Sequence, residues 1–251
     1  MSEKSTKLSV NLNKLALLRN QRDIGYPSIT EHAEIILDAG AHGLTVHPRP
    51  DERHIKRSDV TEIAEFLADW DNKSIEFNIE GYPSDDFIQL CLDNHCDQVS
   101  LVPDDPNQRT SDHGWDVETH KSLLQSTIRK LKNKGRRVSL FLDPVPELVK
   151  SAKDVGADRI ELYTGPYAEK YIPLESYVHT AKEAIRHDLE INAGHDLNLD
   201  NLAQFIAAVP DCAEVSIGHA ITADALKLGW NGAVNAYLAA LKYGHKMAQD
   251  N

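Results

Sequence analysis

The chain repeats one unit from end to end: a short apolar run of strand character, then a segment with apolar residues at helical spacing. Eight such runs stand out: Leu8 to Leu12, Gly43 to His47, Ser74 to Asn78, Gln98 to Val102, Arg137 to Leu142, Arg159 to Tyr163, Glu190 to Ala193 and Glu214 to Ile217. Between them Ile29, Ala33, Ile36 and Leu37, or Val60, Ile63, Ala64 and Leu67, return every three or four residues and so line one face of a helix. Strands that alternate with helices pair in parallel, because each helix carries the chain back to the starting edge of the sheet. The length of 251 residues matches one closed barrel of eight such units. The expected fold class is α/β, a (β/α)8 TIM barrel with extra helices, occupying residues 1–251 as a single domain.

Punctuation along the chain agrees with this reading. Ser28 with Glu31 forms a capping-box pattern, Ser58, Ser84 and Asn198 stand where helix caps belong, and Gly40, Gly135 and Gly156 follow helical stretches. Three helix-to-strand joints resemble one another: Asp38 to Leu44, Asp93 to Val99 and Asp154 to Ile160. Their spacing of roughly 55 to 60 residues is about two units of the repeat. The competing architecture is a doubly wound open sheet, which normally carries a glycine-rich loop after its first strand. Here Asn11 to Arg22 holds no glycine. Two segments exceed a minimal barrel: the long polar loop from Pro103 to Val117, a candidate lid, and a tail from Asn231 to Met247 that reads as a further helix.

Charge narrows the partners. The formal net charge is −12 with no dense run of Lys or Arg, so nucleic acid and anionic membranes are repelled on average. An anionic substrate then needs a local basic pocket. No apolar run approaches the length of a membrane span, and Met1 to Lys7 are polar without a signal-peptide core, so a cytoplasmic protein is expected. Cys91, Cys96 and Cys212 lie in apolar or helical contexts and read as structural thiols rather than a disulfide framework; no metal is assigned to them.

Barrels of this type place their chemistry at the carboxyl ends of the strands. The polar residues assigned to those ends are Asn11, His47, Glu76, Asp143, Glu161, His195 and His219. His47 is followed by Arg49 and His54, which sets a group that titrates near neutrality beside a fixed cation suited to phosphate. A strand-end histidine on its own is as readily a hydrogen-bonded structural residue. Glu76 and Glu161 each sit in an otherwise apolar strand, where a carboxylate is costly unless paired or functional, and a structural ion pair is the competing account. Gly194-His195 and Gly218-His219 follow the seventh and eighth strands, where such barrels build their phosphate sites from backbone N–H groups. Arg19 and Arg22 follow the first strand; Arg19 reads equally well as a solvated surface residue.

The ordered set resembles a known family, pyridoxine 5'-phosphate synthase, which makes the vitamin B6 skeleton. The likeness runs through Val-Asn-Leu-Asn (10 to 13), Leu-Arg-Asn-Gln-Arg (18 to 22), Gly-Leu-Thr-Val-His-Pro-Arg (43 to 49), Arg-His-Ile (53 to 55) and Ile-Glu-Phe-Asn (75 to 78). It continues in Leu-Val-Pro (101 to 103), Val-Ser-Leu-Phe-Leu-Asp (138 to 143), Ile-Glu-Leu-Tyr-Thr-Gly (160 to 165), Asn-Ala-Gly-His (192 to 195) and Ile-Gly-His-Ala-Ile (217 to 221). The resemblance implies a barrel with extra helices, a homo-octamer, and no metal or organic cofactor. It implies an acid–base condensation of 3-amino-2-oxopropyl phosphate with 1-deoxy-D-xylulose 5-phosphate that closes a pyridine ring and releases phosphate and water. By that likeness His47, Glu76 and His195 are the acid–base residues, while Asn11, Arg22, Arg49, His54, Thr110, Gly218 and His219 bind substrate. Asn13, Lys14, Glu161 and Asp196 join the expected binding set.

Two departures from the family pattern bear on substrate identity. Asn13-Lys14 stands where the family usually has Asp-His, and Asp196 stands where it usually has glycine. The alternatives are a metal-dependent epimerase or isomerase of sugar phosphates, whose His and Glu residues would hold a divalent ion, and a non-catalytic relative that binds a phosphorylated metabolite. A Schiff-base aldolase is disfavoured because no candidate strand carries a lysine at its carboxyl end.

Overall fold

A computed structural model describes residues 5–22, 24–72, 74–106 and 108–250. The reading of the polar amino-terminal residues falls partly on 1–4, outside the described ones. The strands are β1 (Lys7–Asn11), β2 (Gly43–Val46), β3 (Glu76–Gly81), β4 (Gln98–Leu101), β5 (Arg137–Leu142), β6 (Arg159–Tyr163), β7 (Glu190–Gly194) and β8 (Cys212–Ile217). They pair in parallel in sequence order, and β8 closes on β1. The open doubly wound sheet is thereby excluded.

The helices are α1 (Asn13–Arg19), α2 (Ile29–Asp38), α3 (Arg57–Asp69), α4 (Asp85–Asp93), α5 (Lys121–Lys132), α6 (Pro146–Asp154), α7 (Gly165–Ala168), α8 (Leu174–Arg186), α9 (Leu202–Ala208) and α10 (His219–Gln249). Ser28 and Ser84 cap α2 and α4 by accepting from Glu31 N and Phe87 N. Two other expected caps are displaced. Helix α3 begins one residue before Ser58, with Asp59 accepting from Lys56 N, and Asn201 rather than Asn198 stands at the start of α9. Gly229 breaks α10 with a φ of +68°, and the tail beyond it is the expected extra helix, packed chiefly on α9 and also on α2.

The three similar joints have one physical job. His42, Asp97 and Asp158 each precede a strand, and each accepts the N–H of the second residue of the strand before it: Leu8, Phe77 and Val138. Those N–H groups lie at the amino edge of β1, β3 and β5, where the ladder leaves them without a carbonyl. The recurrence thus sets strand register.

Alternation decides what fills the barrel. Leu8 and Val10, Leu44 and Val46, Phe77 and Ile79, Val138 and Leu140, and Ile160 and Leu162 are fully or almost fully buried in the apolar cluster between strands and helices. The residues between them point inward and are polar. Ser9 and Thr45 share a hydrogen bond of 2.7 Å, Ser100 donates to Asn78 Oδ1 and Glu161 Oε2 at 3.2 Å each, and all are buried. Barrels usually pack this space with branched aliphatic residues. Here hydrogen bonds and ion pairs hold it. Cys91, Cys96 and Cys212 are free thiols buried among the apolar elements. No helix among the described residues is long and apolar enough to cross a membrane.

Candidate active site

The carboxyl ends of the strands open into a cleft of about 530 Å³, well within the range of small-molecule sites. Asn11, Asn13, Lys14, His47, Arg49, His54, Thr110, Glu161, His195, Asp196, Gly218 and His219 all line it, as the sequence places them. Two expected members are elsewhere. Arg22 is exposed beyond α1 and is not part of the lining. Glu76 is the larger correction. It opens β3 rather than closing it, because the strand runs to Gly81 and not to Asn78.

Four residues further along the same inward face stands Glu80, buried in the wall of the cleft. Sequence reasoning stopped the strand too early and missed it. The signal was present: Glu76, Asn78 and Glu80 keep the period of two, and the turn residues begin only at Gly81-Tyr82-Pro83-Ser84. Glu76 instead lies at the amino end of the barrel in an ion network. It pairs with Arg137 and lies 3.5 Å from Arg159, which in turn binds Glu190 at 2.6 Å. Gln98 Oε1 accepts from Arg137 and Arg159 at 3.0 Å each. Burial opposes ionisation of Glu76, but the hydrogen bond from Arg137 and the two arginine charges outweigh it and hold its carboxyl below the usual range. Glu214 beside it is pushed well up by burial and by the Glu76 charge. The opposite shifts favour the charge on Glu76 and the proton on Glu214.

In the cleft the pattern differs. Burial, followed by the neighbouring carboxylates Glu161 and Asp104, drives the Glu80 carboxyl well above its ordinary range. Burial also raises Glu161 to about 7, although Ser100 donates to it. Burial and the Arg49 charge drive His47 well below the usual imidazole range, and the same causes bring His54 down to about 4. These shifts hold His47 and His54 toward their uncharged forms and favour the protonated form of Glu80. His47 Nδ1 lies 4.0 Å from Glu80 Oε2. Asn11 Nδ2 makes a long contact of 3.4 Å to the same carboxyl oxygen.

Asn13 keeps the backbone function that an aspartate would have there. Its Oδ1 accepts from His47 N at 2.9 Å, and its own N–H donates to Asn11 Oδ1. Gly194 leaves room for a neighbouring carboxyl: a Cβ at that position would lie 2.5 Å from Glu161 Oε1, so the Glu161 side chain would have to shift. The eighth strand delivers Gly218 and the amino terminus of α10 to the cleft wall. With Lys14, Arg49, Arg53 and Arg109 also in the lining, the cleft supplies the local positive field that a chain of net charge −12 needs to hold an anion.

The long β4–α5 loop is strapped over this site. Arg49 forms a buried pair with Asp104, Arg53 donates to Pro106 O at 3.0 Å and Gln108 O at 2.9 Å, and Ser111 donates to Asp104 at 2.8 Å. Thr110 on the same loop touches His195 Nε2 at 3.0 Å. Trp115 anchors the far end, fully buried, with its indole donating to Leu101 O. Arg53, Asp104 and Arg109 were not singled out from sequence. Arg19 also departs from expectation: it is buried and grips Asp59 with two bonds of 2.5 and 2.8 Å, bracing α1 against α3. Among the described residues no group of three or more His, Cys, Asp or Glu side chains is placed to hold a metal ion.

The closed barrel with titratable groups gathered at the carboxyl ends of its strands defines a (β/α)8 enzyme. Comparison with solved structures agrees on the fold. The chain superposes on a structure described as native KDPGal with a TM-score of 0.62 at 13% identity, covering 95% of this chain and 96% of that one. It superposes on tryptophan synthase subunit alpha from Legionella pneumophila str. Paris with a TM-score of 0.61 at 14% identity, covering 98% and 94%. At such identities only the architecture is shared. Sequence relatives go further. The family model for the pyridoxal phosphate biosynthesis protein PdxJ matches residues 8–243. The pyridoxine 5'-phosphate synthase of Chelativorans sp. (strain BNC1) is 52% identical over 243 residues, covering 93% of this chain and 98% of that protein. The enzyme of the same name from Albidiferax ferrireducens is 49% identical over 253 residues, covering 96% and 99%. The chain belongs to the pyridoxine 5'-phosphate synthase family.

Proposed function

We propose that this chain condenses 3-amino-2-oxopropyl phosphate with 1-deoxy-D-xylulose 5-phosphate to give pyridoxine 5'-phosphate, phosphate and water, with His47 and Glu80 as the acid–base pair. The observation that carries the reading is the pair itself: His47 Nδ1 and Glu80 Oε2 lie 4.0 Å apart in a cationic cleft, where burial shifts the imidazole downward and the carboxyl upward. Environments that push two neighbouring groups in opposite directions assign acid and base roles. Imine formation needs a proton delivered to the departing ketone oxygen, and ring closure needs a base to take protons from carbon. Glu80 suits the first task and neutral His47 the second. His195, across the cleft, assists loss of phosphate or hydroxide.

Substrate phosphates would be held by the α10 amino terminus with Gly218 and His219 on one side, and by Arg49, Arg53 and His54 on the other. Lys14 and Asp196, opposite in charge, both line the cleft, and the lysine charge adds a small downward pull on the Asp196 carboxyl. The protein is proposed to act in the cytoplasm as a homo-octamer, supported by the family resemblance and by exposed apolar side chains on α10, Leu226, Leu228 and Tyr243. The test is incubation of the purified protein with both substrates, followed by absorbance and mass. Appearance of pyridoxine 5'-phosphate is expected. Binding of either substrate without product would overturn the catalytic reading.

A further inference from the structure

His195 and Asp196, which follow β7, are consecutive non-glycine residues with positive φ, +89° and +59°. Side chains rarely adopt this region, and residues held in it tend to sit where function requires them. Their surroundings fix them there. Thr164 Oγ1 donates to the carbonyls of Gly194 at 2.6 Å and His195 at 2.5 Å, and Asn201 Nδ2 donates to the Asp196 carbonyl at 3.2 Å. Glycine would take the Asp196 position without steric cost, and the family pattern has glycine there. The fold does not need a carboxylate at this point, yet Asp196 Oδ2 lies 3.0 Å from His195 Nδ1.

We propose that Asp196 is a positioning residue for His195: it accepts from Nδ1–H and holds the neutral imidazole in the tautomer whose Nε2 lone pair faces the cleft. An ionised carboxylate has lone pairs only, so the contact requires Nδ1 to be the donor. The hydrogen bond from His195 outweighs the partial burial of this carboxyl and holds it below its ordinary range, in the ionised form. In the neutral ring Nε2 is then the acceptor, and Thr110 Oγ1, 3.0 Å away on the strapped loop, donates to it. Tyr163 packs against the imidazole in a T-shaped contact, with ring centroids 5.3 Å apart, and limits rotation about the last side-chain bond. Orientation therefore comes from three directions: β6, the β4–α5 loop and Asp196.

The consequence deepens the proposed reaction and rests on that reading for its meaning. A ring with its lone pair on Nε2 accepts a proton from a substrate that displaces Thr110, and returns it from the same atom. A relative with glycine after this histidine leaves the tautomer to other partners. In this chain the choice is built into the backbone turn.

The test is ¹⁵N NMR of protein labelled in histidine, at a pH where the ring is neutral, with His195→Asn identifying the signals. The two ring nitrogens have well separated shifts according to which carries the proton. The expected spectrum shows His195 protonated on Nδ1. Asp196→Gly, compatible with the positive φ, is expected to move the population toward the Nε2–H form, while Asp196→Asn, which keeps an accepting oxygen, retains Nδ1–H. The same tautomer in wild type and Asp196→Gly, or Nε2–H already in wild type, would overturn the proposal. No substrate is needed, so a negative result here is distinct from failure to form pyridoxine 5'-phosphate.

Discussion

The two ends of the barrel use the same residue types for opposite purposes, and β3 carries the contrast within four residues. At its amino end Glu76 is matched by Arg137 and Arg159, with Gln98 and Glu214 beside them in the same polar network. At its carboxyl end Glu80 shares its surroundings with Glu161 and Asp104, and the nearby arginines are engaged by the loop. A charge met by equal and opposite neighbours is held in one state and becomes structure. A group left among like charges has its proton available for transfer. Burial alone does not separate the cases, since Glu76 and Glu80 are 6% and 9% exposed.

Substitutions at the two positions should part accordingly. Glu80→Gln keeps the shape and removes the transferable proton, and turnover is expected to fall by about 10²- to 10⁴-fold with unchanged circular dichroism. Steady-state kinetics on the folded variant checks this. Glu76→Gln leaves the buried Arg159 and the half-buried Arg137 short of a counter-charge, and stability should drop by about 3 kcal/mol, read as a lower urea midpoint. Ionisation of Glu214 in its place softens that loss, so Glu76→Gln with Glu214→Gln should cost more than the two single changes added together. The turnover of folded Glu76→Gln should stay within a few-fold of wild type.

Glu161 gives a pH-dependent version of the same contrast. Its carboxyl is raised from 4.5 to about 7 in the folded protein, so folding is helped by protonation. The sign follows: its stabilising contribution is whole below about pH 4.5 and is lost as pH rises through about 7. Glu161→Gln cannot ionise. Relative to wild type it should gain stability above pH 7, by up to about 3 kcal/mol, and the gain should vanish near pH 4. Denaturant melts at both pH values test it, and an equal difference at the two would refute the assignment. The smallest effect is expected at the loop strap. Arg53→Ala removes two bonds to loop carbonyls and should raise KM no more than about fivefold while leaving kcat nearly unchanged.

Most of the architecture was legible because the signals for it are local. Periodicity located all eight strands, two of them (Arg137–Leu142 and Arg159–Tyr163) with matching ends, and the repeated joints marked register-setting residues before their role was visible. The cleft was legible in its parts, since strand-end and loop residues such as His47, Glu161, His195 and Gly218 converge when a parallel sheet closes. What failed was the end of a strand. Ile-Glu-Phe-Asn has the look of a complete strand, and both glutamates satisfy the alternation; only the placement of the turn at Gly81 tells which lies at the chemical end. Arg53, Asp104 and Arg109 were illegible for another reason. Their roles depend on how a long loop folds back across the barrel, and residue spacing carries little information about such contacts.

The central claim is that the chemistry belongs to Glu80 and not to Glu76. The most direct measurement compares wild type, Glu80→Gln and Glu76→Gln, each supplied with 3-amino-2-oxopropyl phosphate and 1-deoxy-D-xylulose 5-phosphate under conditions where all three are folded, with pyridoxine 5'-phosphate quantified by mass. Product from wild type and Glu76→Gln but almost none from Glu80→Gln is the predicted result. Near-normal product from Glu80→Gln, or its loss from a fully folded Glu76→Gln, would contradict the account.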